Sequence, residues 1–520
     1  MPTCTMYWST SASKALISLL LLLIPSIDGH VVVRRQTSPA TGNATFVPCP
    51  TVDPFLPQHT ALGLQCANLS VPILHDQPGG EQVQLSIVKM PAKGQRIGNL
   101  FINPGGPGAP ASTQILNFAT GGLPIGQAMA NSFDIIAMDP RGVGMSTPSR
   151  CDTTIGNEPS EFEVTTDAGL QQQIDYNQKL GASCRALMGT LFDNMDTIAV
   201  AKDMELVRVA IGDEPMSYFG QSYGTQLGAQ YAQLFPSNVR AMALDGVLQH
   251  TGDYASNVLI QTKALDAAIQ EFFNRCEKNT TDCGPQGPQM RQLWANVVDK
   301  AATGTLQAPG CDDTTQTGCF RNVSVQDLLG TARGLTASPG GQRRLARILA
   351  LSGTGNASFA DSFAPGLLSG NVFSDSSSFS IGNVQCQDGH FVDATLAPSP
   401  VGQVQDLAAM TRNATVTPGM GEFFRRTVGC TGWPVRITNP RKALDVSGTQ
   451  NPVLLVHTTF DPATSPEYAQ GMLKEIQGSV LLVRDGLGHT SYFNAGATAA
   501  AMDAYLVNLT MPAVGTVLAS

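Results

Sequence analysis

Charge is scarce in this chain. Asp, Glu, Lys and Arg make up only 14% of its 520 residues, and the formal net charge is −9. No basic stretch of the kind that neutralises phosphates is present, which excludes nucleic acid as a partner. The mild acidity serves solubility or a mild preference for cationic substrates rather than a defined partner. Long apolar runs are missing as well, apart from one near the start, and nothing beyond it reaches the roughly 20 residues that a membrane helix needs. No Cys-x-x-Cys pair and no His/Cys cluster at zinc spacing occurs among the 11 cysteines and 7 histidines, so no metal and no other cofactor is expected.

What is there begins with a leader. Lys14 precedes an apolar run from Ala15 to Ile24, closed by Pro25 and small or polar residues. That is the pattern of a secretory signal peptide, assigned to residues 1–29 and too short to span a bilayer. Residues 30–35 end in Arg34-Arg35, either a short pro-segment cut by a kexin-like protease or a solvated basic pair. Two further features agree with export to the extracellular space. N-x-S/T sequons stand at Asn43, Asn68, Asn279, Asn322, Asn356, Asn413 and Asn508. Setting Cys4 aside with the leader leaves an even set of cysteines, suited to an oxidising compartment. Proximity suggests Cys49–Cys66, Cys151–Cys184, Cys276–Cys283, Cys311–Cys319 and Cys386–Cys430, although sequence alone does not determine the connectivity. Once the leader is removed, no membrane association is expected.

Short apolar runs that read as buried strands recur along the chain: Asn99 to Ile102, Phe133 to Met138, Pro215 to Phe219, Ala241 to Val247, Pro452 to His457 and Ser479 to Val483. Val83 to Val88 alternates like an antiparallel strand. Val200, Met204, Val207 and Ile211 share one face of a helix over Thr197 to Ile211, closed by Gly212. From about His250 to Asn451 the pattern turns helical, for example over Ala264 to Phe273 and Leu293 to Ala302. The expected architecture is an α/β fold with a mostly parallel central sheet. Its core spans residues 36–250 and 451–520, and a large helical cap is inserted over 251–450, before the last strands.

The chemistry gathers where strands end. Gly220-Gln221-Ser222-Tyr223-Gly224 fits G-x-S-x-G and lies between the run ending at Phe219 and a helix over Thr225 to Phe235, so Ser222 is the candidate nucleophile. Asp461 follows the strand ending at His457, and His489 follows the one ending at Val483. Nucleophile, acid and base in that chain order belong to the α/β-hydrolase arrangement. Asp485, four residues before His489, is the competing acid; Asp461 is preferred because a separate strand end holds it independently of the base's loop. His457 reads as a core histidine. Pro residues leave Gly105, Gly106 and Gly108 as the N–H donors of Asn103-Pro104-Gly105-Gly106-Pro107-Gly108, and Gly106 with Tyr223 is the expected oxyanion pair. Asp139 and Arg141 read as a structural strand-end pair rather than as catalysts.

These motifs, with Asp139-Pro140-Arg141-Gly142-Val143-Gly144 and Cys430-Thr431-Gly432-Trp433-Pro434, resemble the secreted tripeptidyl aminopeptidases, relatives of the prolyl aminopeptidases, over about Asn99 to Ser491. The resemblance implies a serine peptidase that acts on peptides from their N-termini, with the glycine loop as oxyanion hole and Asp461 and His489 supplied by a C-terminal TAP-like segment. Asn103 departs from the histidine with which the prolyl relatives usually begin the loop. The resemblance also places the Cys386-Gln387-Asp388 segment near the cleft, which makes Asp388 the expected substrate-binding carboxylate for an α-ammonium group, against a solvated turn as the plainer reading. A carboxylester hydrolase and a binding protein that kept the fold without catalysis are the alternatives.

Overall fold

The computed structural model describes residues 43–49, 62–158, 162–212, 214–278, 283–308, 322–338, 340–353, 357, 379–389, 400–426, 428–494 and 496–519. The expected leader and pro-segment, Asn279, Asn356 and the Cys311–Cys319 pair lie outside these residues.

The apolar runs pair into one sheet. Its strands among the described residues are β1 (Val47–Pro48), β2 (Gln65–Pro72), β3 (Gln82–Met90), β4 (Gly98–Asn103), β5 (Phe133–Met138), β6 (Met216–Gln221), β7 (Val239–Asp245), β8 (Leu454–Phe460), β9 (Val480–Leu487) and β10 (Val517–Ala519). They lie in the order β1-β2-β3-β5-β4-β6-β7-β8-β9-β10. The β1–β2, β2–β3 and β3–β5 contacts are antiparallel, and every later pairing is parallel. All residues of β4 and β6 are buried, as central parallel strands covered on both faces require. Successive side chains point to opposite faces, so Leu100 and Ile102 pack with Phe118, Met502 and Leu506, whereas Phe101 packs with Met204, Val207 and Leu227. Burying each such side chain contributes about 1.5–3 kcal/mol.

The helices before β7 are α1 (Ala111–Thr120), α2 (Gln127–Ser132), α3 (Thr153–Gly156), α4 (Asp167–Met188), α5 (Thr197–Ala210) and α6 (Tyr223–Leu234), of which α1, α2, α5 and α6 pack on the sheet. The connection from β5 to β6 runs through α3, α4 and α5, yet these strands are not neighbours, because β4 lies between them. A strand order of this kind is invisible in apolar periodicity.

Among the described residues the chain returns to the sheet after β7 only at Leu454. Between lie α7 (Tyr254–Lys278), α8 (Met290–Ala302), α9 (Val325–Ala337), α10 (Gly341–Ser352), α11 (Ser380–Gln387) and α12 (Pro400–Ala414). Of these, α7, α8, α9 and α10 bury Ile269, Phe272, Trp294, Leu329 and Leu349 together, and the same cluster takes in Leu487 at the end of β9. The helix α7 is longer at both ends than the expected stretch from Ala264 to Phe273, since its first turns bury the polar Asn257 and Thr262 and escape an apolar count. Two more helices follow, α13 (Pro466–Glu475) and α14 (Ala497–Asn508).

Arg141 and Asp139 play structural parts with different partners. Arg141 donates to both oxygens of Asp203, each at 2.7 Å. Asp139 instead accepts from Ser112 N–H at 2.9 Å, Ser112 O–H at 2.7 Å and Met145 N–H at 2.9 Å.

Candidate active site

Ser222 stands at the corner between β6 and α6 with φ 56° and ψ −127°. A side chain in this region of backbone space costs about 1–3 kcal/mol and persists only where its surroundings enforce it. They do. Ser222 N–H donates to Asp245 O at 2.9 Å, and Thr225 donates to Ser222 O from N–H at 2.9 Å and from its hydroxyl at 2.6 Å. Gly224 is obligatory: a Cβ there would lie 2.5 Å from Asn103 O.

Asp461 and His489 come together. The ring Nδ1 lies 2.8 Å from Asp461 Oδ2 and 3.0 Å from Oδ1. Asp461 is fully buried and also accepts N–H bonds from Ala463 and Thr464, both at 2.8 Å. Burial pushes its acidity down, but the His489 charge and hydrogen bond, His457 and the Thr464 N–H outweigh this and hold the carboxyl below the usual range. Asp485 cannot compete, because β9 runs on to Leu487 and turns Asp485 to solvent, paired in register with Ala519. His457 is buried, accepts Val247 N–H at 3.2 Å, and is kept neutral by burial, which lowers its pKa to about 4.

Ser222 and His489 each pack against the end of β7. Asp245 holds Ser222 through its carbonyl, and the next residue, Gly246, lies so close to the imidazole that a Cβ would be 3.2 Å from Cε1.

The glycine loop folds over the serine corner. A Cβ on Gly105 would meet Gln221 O at 2.4 Å, Tyr223 N at 2.8 Å and Ser222 Cβ at 3.0 Å. Its N–H is not a spare donor, however, since it donates to Asn103 Oδ1 at 2.9 Å. Gly106 is exposed and lines a cavity with Ser222 and Tyr223. Tyr223 is the first residue of α6, where helix geometry supplies no acceptor for the N–H.

That cavity, about 200 Å³, is roofed by the inserted helices, with Tyr254, Val258 and Gln261 from α7, Arg333 from α9, and Gly382 and Gln385 from α11. Asp388 is in its lining and is the only carboxylate there among the described residues. It is not a solvated turn residue, being 1% exposed at the end of α11. Its carboxylate is already occupied: Oδ1 accepts Thr197 N–H at 3.1 Å and Asn439 Nδ2 at 2.9 Å, and Oδ2 accepts the Thr197 hydroxyl and, at 3.3 Å, Gln226 Nε2. Burial raises its pKa to about 7 against these bonds. Beside it, Cys386 is bridged to Cys430, and the Cys49–Cys66, Cys151–Cys184 and Cys276–Cys283 bridges are also present.

Residues 98–282 match the model of the alpha/beta hydrolase fold, and residues 417–518 match that of the TAP-like protein. Carboxylesterase B of Mycobacterium tuberculosis is 31% identical over 449 residues, which span 83% of this chain and 81% of the relative. The chain is an α/β hydrolase of the TAP-like family. Serine protease Hip1 of Mycobacterium tuberculosis is 29% identical over 523 residues, 98% of this chain and 96% of the relative. Tripeptidyl aminopeptidase of Streptomyces lividans is 25% identical over 449 residues, 82% and 78% of the two chains. In this TAP-like hydrolase the segment 98–282 carries the glycine loop and Ser222, and the segment 417–518 carries Asp461 and His489.

Sequence reasoning missed Asp245, whose buried carboxylate accepts Ser491 N–H at 2.9 and 2.8 Å and Tyr492 N–H at 2.9 Å, fixing the segment that follows His489. Its place at the end of an apolar strand was the available signal, since an aspartate there is expensive to bury without partners. Thr197, read only as a helix start, holds Asp388 and meets Tyr223 Oη at 2.5 Å.

Proposed function

We propose that this hydrolase is an extracellular serine exopeptidase that releases short peptides or single residues from free N-termini. Ser222 is its nucleophile, His489 its base and Asp461 the acid that sets the base's tautomer. His489 takes the Ser222 proton as the oxygen attacks the scissile carbonyl, and the resulting oxyanion receives the Gly106 and Tyr223 N–H groups. The proton then passes to the leaving amine as the C–N bond breaks, leaving an acyl-enzyme. Water, deprotonated by the same ring, releases the acyl part and restores Ser222.

The roofed cavity carries the exopeptidase reading. With α7, α9 and α11 closing over Ser222, space of about 200 Å³ admits a chain end more readily than the middle of an extended polypeptide. The name of the Streptomyces relative agrees. Export is supported by the leader, by the bridged cysteines, and by the exposure of Asn43, Asn68, Asn322, Asn413 and Asn508. Among the described residues no helix is long and apolar enough to cross a membrane.

A second reading, a carboxylester hydrolase, is favoured by one observation: Asp388, the only lining carboxylate among the described residues, is engaged by four protein donors rather than turned free towards an ammonium. Matched peptides with free and acetylated N-termini, assayed beside a simple ester, separate the two. Cleavage confined to free N-termini supports the exopeptidase, and ester turnover without peptide cleavage replaces it.

A further inference from the structure

We propose that α11, closed by Asp388, is a strut by which the inserted helices set both halves of the oxyanion hole, with Asp388 a positioning residue for the Ser222 corner. This rests on Ser222 being the nucleophile, but not on the choice between peptide and ester.

The helix touches both donor segments. At its start, Ser380 and Ile381 lie against the glycine loop, where a Cβ on Gly108 would be 2.7 Å from Ser380 Oγ and 2.8 Å from Ile381 Cγ1. At its end, Asp388 reaches the first turn of α6 by two routes. One is direct, from Gln226 Nε2 to Oδ2 at 3.3 Å. The other runs through Thr197, whose hydroxyl contacts Asp388 Oδ2 and, at 2.5 Å, the hydroxyl of Tyr223. Tyr223 bears the amide assigned to the oxyanion, so fixing its ring limits how far that amide can turn.

The strut is itself anchored against the core. Gln387 accepts Met195 N–H at 2.8 Å and donates to Phe192 O at 2.7 Å; Asn383 donates to the same carbonyl at 2.7 Å and accepts from Trp433 Nε1 at 3.1 Å. The Cys386–Cys430 bridge ties its last turn to the Cys430-Thr431-Gly432-Trp433-Pro434 segment. The charged and titratable groups around the carboxylate are Asp196 and Tyr223, Arg441, and His250 behind Gln226. Burial raises the Asp388 pKa to about 7, so its charge depends on this packing.

A residue that only bound substrate would act on KM for peptides. A strut for the oxyanion donors acts on the chemical step for any acyl substrate. The test therefore uses the full-length enzyme with a peptide and a small neutral ester, comparing Asp388→Asn, Thr197→Val and Thr197→Ser. Thr197→Val removes both hydroxyl contacts at nearly constant volume and guards against Asp388→Asn simply failing to fold, with Tm checked for each protein. The expected result is a fall in kcat of about tenfold or more on both substrates for the first two variants, with KM little changed, because small misplacements at a reacting centre cost this much. Thr197→Ser recovers most of the loss. Slower fluorophosphonate labelling should accompany the lower kcat. A change in KM for the peptide alone, with ester turnover intact, overturns the proposal and returns Asp388 to substrate binding. Wild-type kcat in Thr197→Val overturns it as well. Labelling of Ser222→Ala at the wild-type rate marks a different failure, that of the nucleophile assignment.

Discussion

Asp245 and Ser491 are joined by two short contacts, in which the buried carboxylate accepts the Ser491 N–H at 2.9 and 2.8 Å. The same strand end holds Ser222 N–H through its carbonyl, so one residue of β7 registers the corner that carries the serine against the segment that follows the histidine. Asp245→Asn replaces an acceptor oxygen by an NH2 group facing N–H donors. A loss in kcat of about 10- to 100-fold is expected, with KM less affected. Steady-state kinetics on the peptide and the ester check this, and wild-type kcat would show that the segment is held by other contacts.

Gly105→Ala tests how closely the glycine loop must approach the serine corner. Its Cβ would fall 2.4 Å from Gln221 O and 2.8 Å from Tyr223 N, so the loop must retreat and take Gly106 with it. Loss of one oxyanion donor costs about 100- to 1000-fold in kcat, and a loss approaching that size is expected here. Retention of full activity, measured with the circular dichroism spectrum unchanged, speaks against Gly106 as a donor.

Cys386 and Cys430 are 44 residues apart in sequence. Closing a loop of that length stabilises the fold by about 3 to 4 kcal/mol in the chain-entropy model. Replacing both by Ser should lower Tm by several degrees and, through α11, reduce kcat. Finding either cysteine alkylated in a non-reducing peptide map contradicts the bridge.

Stability should depend on pH through Asp388 in a definite direction. Its pKa is raised to about 7 by burial, above the ordinary carboxylate value that it has in the unfolded chain. The folded state therefore holds the proton more tightly, and wild type loses stability as pH rises from about 4 to about 7, then levels off. In Asp388→Asn this contribution disappears. Denaturant unfolding of the two proteins across pH 4 to 8 should show the variant gaining on wild type by an amount on the order of a few kcal/mol. A difference that stays constant over this window rules the linkage out.

The residues that end strands were the legible part of the sequence. Ser222, Asp461 and His489 each follow an apolar run, and a reactive side chain at such a border needs no tertiary knowledge to stand out. Strand identity was legible for the same reason. The β4–β5 reversal was not, because order in a sheet depends on crossovers and not on local periodicity. Contacts across long separations were hidden too: Asp245 meets Ser491 over 246 residues, and Asp388 meets Thr197 over 191. Reading Asp388 as a solvated turn missed its burial in the wall of the cavity beside Ser222. Gly105 failed at short range for a different reason, since the acceptor of its N–H is the Asn103 side chain, whose rotamer no sequence pattern specifies.

The most direct measurement is intact-mass analysis of the enzyme quenched during turnover of a peptide with a free N-terminus, followed by mapping of the modified peptide. An acyl adduct on Ser222 carrying the N-terminal fragment of the substrate, absent with the acetylated peptide and absent in Ser222→Ala, is the predicted result. An adduct on another residue, or one formed equally from the acetylated peptide, would contradict the assignment of nucleophile or of N-terminal recognition respectively.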